Sequence, residues 1–380
     1  MAAGNPVSVE KLKGIFSANL GSRPGERTLV FTDTVRPDEV IGEVDRGRRE
    51  GLVLVARAAA QAARELGLDV VYHEYEALTT HGSEPREELW RLAFGDAAVD
   101  EFKASGVLDR IIAKTATDDD KKNAADITAR HAAGAVRAVV ALPNNSTSHT
   151  RFRDLLTSAS GVRYASMPMF EADMLDGSMC VDWSEVEARS KKIAAAIEGA
   201  DAARVTTALG TDITFSIAGR PPQLDTGNLR QPGSFSNLPA GEVYLAPVEG
   251  TGNGVLVLQW APSRKLVSLV RVTVKDGMAA EVEGDEPFAA EFTASLDRAP
   301  MNRNLAELGI GTNDRASKPD NVLESEKILG TIHLAFGDNT SMGGKVSTPF
   351  HQDFVFFGPT LAVRKSGRWT NVIENGGQVV

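Results

Sequence analysis

The chain has 380 residues, 42% of them hydrophobic and 24% charged, with a formal net charge of −10. That is the profile of a globular protein long enough for two domains with cores of their own. The acidic balance argues against nucleic acid as a main partner, because phosphate binding needs a basic stripe, and the single cysteine, Cys180, excludes an internal disulfide and thiolate-rich structural zinc. No apolar run approaches the ~20 residues needed to span a bilayer. The N-terminus shows neither the basic nor the apolar region of a secretory leader. The expectation is a cytoplasmic protein without a membrane partner.

The first part of the chain alternates strand and helix patterns. Thr28-Leu29-Val30-Phe31-Thr32-Asp33 is a short apolar strand after the turn Arg23-Pro24-Gly25-Glu26. Residues 51–67 are rich in Ala, Leu and Arg and close on Gly67, which predicts a helix with a glycine cap. Asp69-Val70-Val71-Tyr72 resumes as a strand. Asp118-Asp119-Asp120 opens a helix running toward His131, with acids favourably placed at its N-terminus. Residues 136–142 read as a buried strand, and Asn144-Asn145-Ser146-Thr147 as the loop after it, where parallel sheets tend to hold ligands. A further helix spans 183–200. Beyond about residue 203 glycine, threonine and short alternating runs predominate: 205–207, 212–217, 255–258 and 266–272 read as strands. One helix is expected over 287–296. The spacing predicts an α/β domain over 1–204 and a β-rich, α+β domain over 205–380.

The chemistry concentrates in the second part. Of six histidines, His73, His81, His131 and His149 are scattered and have no second ligand at metal spacing. His351-Gln352-Asp353 is different: on a strand, residues two apart share a face, so an imidazole and a carboxylate converge. His333 sits in the apolar run Gly330-Thr331-Ile332-His333-Leu334-Ala335-Phe336. Glu249 and Glu307 lie among apolar residues and glycines, and carboxylates are seldom buried without a partner or a metal. Five nitrogen and oxygen ligands without a thiol suit zinc, cobalt, manganese or iron, and that many ligands suit two cations sharing one carboxylate. Glu326 is a candidate general base for a metal-activated water. Lys345, in Gly343-Gly344-Lys345, is a candidate to bind an acidic group of the substrate, and Cys180 has no basic neighbour to activate it.

Several strings resemble a known family. Asn237-Leu238-Pro239-Ala240-Gly241-Glu242-Val243 leading to Pro247-Val248-Glu249, Glu307-Leu308-Gly309-Ile310-Gly311-Thr312-Asn313, residues 330–337 and His351-x-Asp353 resemble the metalloaminopeptidases that include aminopeptidase T and aminopeptidase S. So do Pro24-Gly25-Glu26 and Ala165-Ser166-Met167-Pro168. The resemblance implies a two-cation site whose Glu, Glu, His, His, Asp pattern carries over onto Glu249, Glu307, His333, His351 and Asp353, with Glu326 as the catalytic glutamate. It also implies a homodimer. The stretch between the two histidines is shorter than in that family and lacks its tyrosine. Asn339-Thr340-x-x-Gly343-Gly344-Lys345-x-x-Thr348-Pro349-x-His351-x-Asp353 is similar instead to the 2,5-dihydroxypyridine 5,6-dioxygenases, non-haem Fe(II) enzymes on a related scaffold. The resulting expectation is a two-cation hydrolase acting on a peptide or a small modified or cyclic amide. The alternative is an Fe(II) ring-cleaving dioxygenase of a hydroxylated pyridine.

Overall fold

The computed structural model describes residues 7–380. The chain forms two compact units, one comprising residues through Asp176 together with Gly227–Leu238, the other Gly177–Thr226 with Pro239–Val380. The division therefore falls earlier than residue 204 and is discontinuous. The helix Trp183–Ile197 belongs to the second unit, where Ile193 and Ile197 join its core.

The first unit is a five-stranded parallel sheet. Asp69–Glu76, Arg27–Thr34, Ala138–Ala141, Arg163–Ser166 and Phe235–Asn237 lie side by side in that order. The run predicted at 28–33 extends to Arg27–Thr34, and its inner six residues are all buried, as a strand covered on both faces must be. The helix after it, Glu43–Glu65, starts two turns before the predicted position. Its first turn holds Glu43 and Asp45, which complement the helix dipole, and its buried face is mostly alanine, which lets backbone approach sheet closely. Asp118–Arg130 begins on a capping box between Thr117 and Asp120. No helix among the described residues is long and apolar enough to cross a membrane.

The second unit packs two antiparallel sheets face to face. The larger has eight strands, in the order Met278–Glu283, Arg264–Lys275, Asn253–Ala261, Asp212–Ser216, Ala202–Thr206, Thr360–Lys365, Arg368–Glu374 and Gly377–Gln378. The smaller has five: His351–Phe356, Ile332–Gly337, Leu305–Gly311, Glu242–Leu245 and Gln223–Asp225. Val205, Phe215, Leu256 and Val272 from the larger sheet share one core with Val243, Leu308, Leu334 and Phe354 from the smaller. Phe292, on the helix Pro287–Asp297, joins them, with its ring centroid 4.9 Å from that of Phe354. An α/β part thus precedes a β-rich part, the architecture expected from the sequence.

Candidate metal centre

The smaller sheet has two faces of opposite character, and the period of two along each strand separates them. On Ile332–Gly337, Ile332, Leu334 and Phe336 enter the core. His333 and Ala335 alternate with them. On His351–Phe356, Phe354 and Phe356 point inward while His351 and Asp353 alternate. On Glu242–Leu245 the core takes Val243 and Leu245, leaving Glu242 and Tyr244. On Leu305–Gly311 the register shifts between Leu305 and Glu307, so Leu305, Leu308 and Ile310 all reach the core while Glu307 and Gly309 take the opposite face. Ala335 pairs with both Glu307 and Asp353, which sets the two acids on either side of a small residue.

Gly309 pairs with His333, and the imidazole lies over it. A Cβ at Gly309 would stand 1.9 Å from His333 Nε2. Gly309→Ala is therefore expected to push the ring out of register. A loss of about 1–3 kcal/mol of stability, typical of overpacking, should accompany weaker metal retention. Denaturant melts and metal analysis of the variant check this; a variant that keeps its metal as the wild type does would refute it.

The geometry converges on Glu307. Its Oε1 lies 3.4 Å from His333 Nε2, and its Oε2 lies 3.2 Å from His351 Nε2. His333 Nε2 is also 3.4 Å from Glu242 Oε2, and His351 Nε2 is 3.4 Å from Asp353 Oδ2. Two triplets follow, Glu242, Glu307 and His333, and Glu307, His351 and Asp353, each with its ligand atoms within 4.8 Å of one another. The carbonyl of Asp338 lies 2.8 Å from His351 Nδ1. An Nδ1–H donated there leaves Nε2 as the lone-pair nitrogen facing the carboxylates, the support commonly given to a metal-ligating imidazole.

Glu326 caps the short helix Val322–Ser325, and its Oε2 lies 3.0 Å from Lys327 Nζ. Lys327 is completely buried, and its Nζ also reaches Glu242 Oε1 at 2.7 Å. Burial pushes the Glu326 carboxyl up to about 8, against the attraction of Lys327 and His333 and with the repulsion of Asp353 and Glu242. Burial would likewise raise Glu307, but hydrogen bonds with His333 and His351 hold it well below the usual carboxylate range. His333 responds in kind: burial opposes its charge, yet Glu307 and Glu242 push it up to about 9. The charges of Glu242 and Glu326 keep Lys327 protonated against the same penalty.

Four of the residues expected from sequence, Glu307, His333, His351 and Asp353, stand together, with Glu326 beside them. Glu249 joins neither triplet. It pairs with Arg220, and its Oε1 accepts from Asn339 Nδ2 at 2.9 Å and from the Lys345 N–H at 2.7 Å. Burial would raise its carboxyl, but these donors and the Arg220 charge hold it low. These contacts tie the 339–345 loop to the turn that follows Glu242–Leu245. Lys345 is exposed and meets Glu249 through its backbone. The acid on the sheet is Glu242, which sequence reasoning missed. The alternation Glu242, Val243, Tyr244, Leu245 was the signal that could have found it. Lys327 was missed as well.

The donor set fits a divalent cation. Glu242 Oε2, His333 Nδ1 and Asp353 Oδ1 are buried without a hydrogen-bond partner among the described residues. Three carboxylates, of which Glu242 and Glu307 are buried and Asp353 half-buried, facing two imidazoles are the nitrogen and oxygen set that zinc, manganese, cobalt or iron accepts.

The model of the 2,5-dihydroxypyridine 5,6-dioxygenase family matches residues 173–376, more than half of the chain. The chain belongs to this family. The matched span contains both triplets together with Glu326 and Lys327. In structure, the chain is similar to the 2,5-dihydroxypyridine dioxygenase of Pseudomonas putida KT2440, with a TM-score of 0.67 and 17% identity over 99% of both chains. It is also similar to aminopeptidase T of Thermus thermophilus, with a TM-score of 0.55 and 16% identity over 98% of both chains. At these identities the likeness is one of fold. No curated protein sequence matches the chain significantly.

Proposed function

We propose that the chain is a metal-dependent hydrolase in which Glu307 would help hold two divalent cations, acting on the amide bond of a peptide or of a small modified or cyclic amide. The observation that carries this reading is the placement of the two Glu307 oxygens, one toward each imidazole. A shared carboxylate is how a protein holds two cations a few ångströms apart. Glu242, Glu307 and His333 would hold one, and Glu307, His351 and Asp353 the other. Bound cations supply Lewis acidity, polarising the scissile carbonyl and acidifying water.

The chain's own residues do the rest. Burial pushes the Glu326 carboxyl up, which makes its carboxylate a stronger proton acceptor than an ordinary glutamate. It takes the proton of the attacking water on a carboxylate oxygen and hands it to the leaving nitrogen. Lys327 fixes Glu326 by its Oε2. Burial of the triplets on the sheet strengthens each charge interaction within them.

The family match favours a second reading, an Fe(II) dioxygenase that opens a hydroxylated pyridine ring. His333, His351 and Asp353 are two imidazoles and a carboxylate, a set that suits iron of this kind. Metal analysis of the purified protein, an anaerobic assay on aminoacyl-nitroanilides, and oxygen uptake with 2,5-dihydroxypyridine separate the two. The hydrolase reading expects two zinc, cobalt or manganese ions per chain and turnover without oxygen. Glu326→Gln should then lower kcat by roughly 10²–10⁴-fold with metal content unchanged, the range of a general acid–base group. One iron per chain with oxygen-dependent turnover would replace this reading by the second. Full activity after chelation would overturn both.

A further inference from the structure

The parallel sheet of the first unit carries a second constellation, built from residues that the metal centre does not use. The chain leaves Arg27–Thr34 to place Asp69–Glu76 on one side and Ala138–Ala141 on the other. Where connections diverge in this way, the loops at the C-terminal ends of the strands flank a crevice, and α/β sheets take ligands there. Two arginines of the helix Glu43–Glu65 stand at that place. Arg48 donates from Nη2 to Asn144 Oδ1 at 2.6 Å, reaching from the helix after one strand to the loop after its neighbour. Arg49, 3% exposed, donates from Nη1 to Glu39 Oε1 at 2.7 Å.

Three buried nitrogens of these guanidinium groups have no hydrogen-bond partner among the described residues: Arg48 Nη1, Arg49 Nε and Arg49 Nη2. Nε and Nη2 share one edge of the guanidinium plane, the edge that grips a carboxylate or phosphate through two parallel hydrogen bonds. Glu39 anchors Arg49 by its remaining nitrogen, so the open edge is held in place.

The acids nearby do not close it. Asp33 spends its two carboxylate oxygens on the N–H groups of Asn144, at 2.8 Å, and Asn145, at 3.1 Å. Glu39 Oε2 has no hydrogen-bond partner among the described residues and lies 3.8 Å from Arg36 Nη1. Asp45 is 65% exposed and 3.9 Å from Arg48 Nε. A buried guanidinium with an open fork is costly unless something bound there completes it.

We propose that this crevice binds the oxyanion group, carboxylate or phosphate, of a small ligand, gripped by Nε and Nη2 of Arg49 with Arg48 Nη1 as a further donor. The site is built from residues of the first unit alone and stands whether or not the hydrolytic reading holds. The test is titration calorimetry of the metal-stripped, full-length protein with inorganic phosphate and, in a parallel arm, with succinate. One of the two probes should bind saturably, and the arm that responds identifies the oxyanion. Arg49→Gln should weaken binding tenfold or more and Arg48→Gln several-fold, while Glu307→Gln leaves it unchanged. Should Arg49→Gln fail to fold, Arg48→Gln, at a less buried position, carries the comparison. The proposal is overturned if neither probe binds saturably, if the arginine variants bind as the wild type does, or if Glu307→Gln removes the binding.

Discussion

Glu307→Gln is expected to empty both halves of the metal centre at once. The amide has the carboxylate's shape but a single oxygen, so it cannot face His333 and His351 together as the two Glu307 oxygens do. Metal content after dialysis should fall from two ions per chain to none, and kcat/KM by on the order of 10³-fold or more, which corresponds to about 4 kcal/mol of lost transition-state stabilisation. Asp353→Asn is the control. Asp353 belongs to only one triplet, so the other should still load. A Glu307→Gln protein that keeps two ions would end the shared-carboxylate reading. In the metal-stripped protein the same variant removes one of the carboxylates that push His333 up, so the His333 titration should move down from about 9.

Lys327→Met should produce the largest loss of stability. The ammonium is fully buried, 2.7 Å from Glu242 and 3.0 Å from Glu326. Removing it leaves Glu242 in the interior without its cation and drives the Glu326 carboxyl further toward its neutral form. Breaking a buried ion pair from one side costs about 3–5 kcal/mol, because the remaining charge stays desolvated. Chemical denaturation of the metal-stripped variant measures this. The metal-loaded variant should lose less, since a cation held by Glu242 offsets part of the same charge. A loss under about 1 kcal/mol in the stripped protein would place it in the range of ordinary substitutions and refute the argument.

Much of the centre was legible because a strand exposes its own logic. His333 interrupts an apolar run with a period of two, and His351 and Asp353 are separated by one residue, so their shared face follows from the pleat. Glu249 misled for a physical reason. Its setting of glycines and apolar residues looked like a ligand pocket, but those glycines serve the turn: Gly250 has φ of +77°, and a Cβ on Gly277 would meet the Gly250 nitrogen at 2.6 Å. Glu242 went unnoticed because it heads a four-residue strand, too short for its alternation to stand out. Lys327 was hidden in Glu324-Ser325-Glu326-Lys327, which reads as a solvated charge run. It is buried because each acid there has a specific use. Glu324 takes the N–H groups of Ser317 and Lys318 on one oxygen and the Ser178 hydroxyl on the other, and Glu326 faces Lys327. Pairings made over such distances along the chain leave no local periodicity. In the first unit, strands and helices followed from composition, but the helix Glu43–Glu65 began earlier than expected, because its first turns are polar and exposed and carry no apolar signal.

The division of labour on the small sheet bears on how its chemistry can change. Apart from the register shift between Leu305 and Glu307, residues that fill the core from these strands alternate with residues that face the polar side, so the two sets are spelled by different letters of the same words. Exchanging a carboxylate for an imidazole on the polar side alters the affinity for a given metal without touching Leu308, Leu334 or Phe354 beneath. The backbone acts as a fixed rack in which donor atoms are interchangeable parts. A lineage built on it can move between cation sets, and so between reactions, by substitutions that leave the core residues in place. On this account, relatives with the same sheet and different chemistries should differ at the positions of Glu242, Glu307 and His333 far more than at the core positions between them.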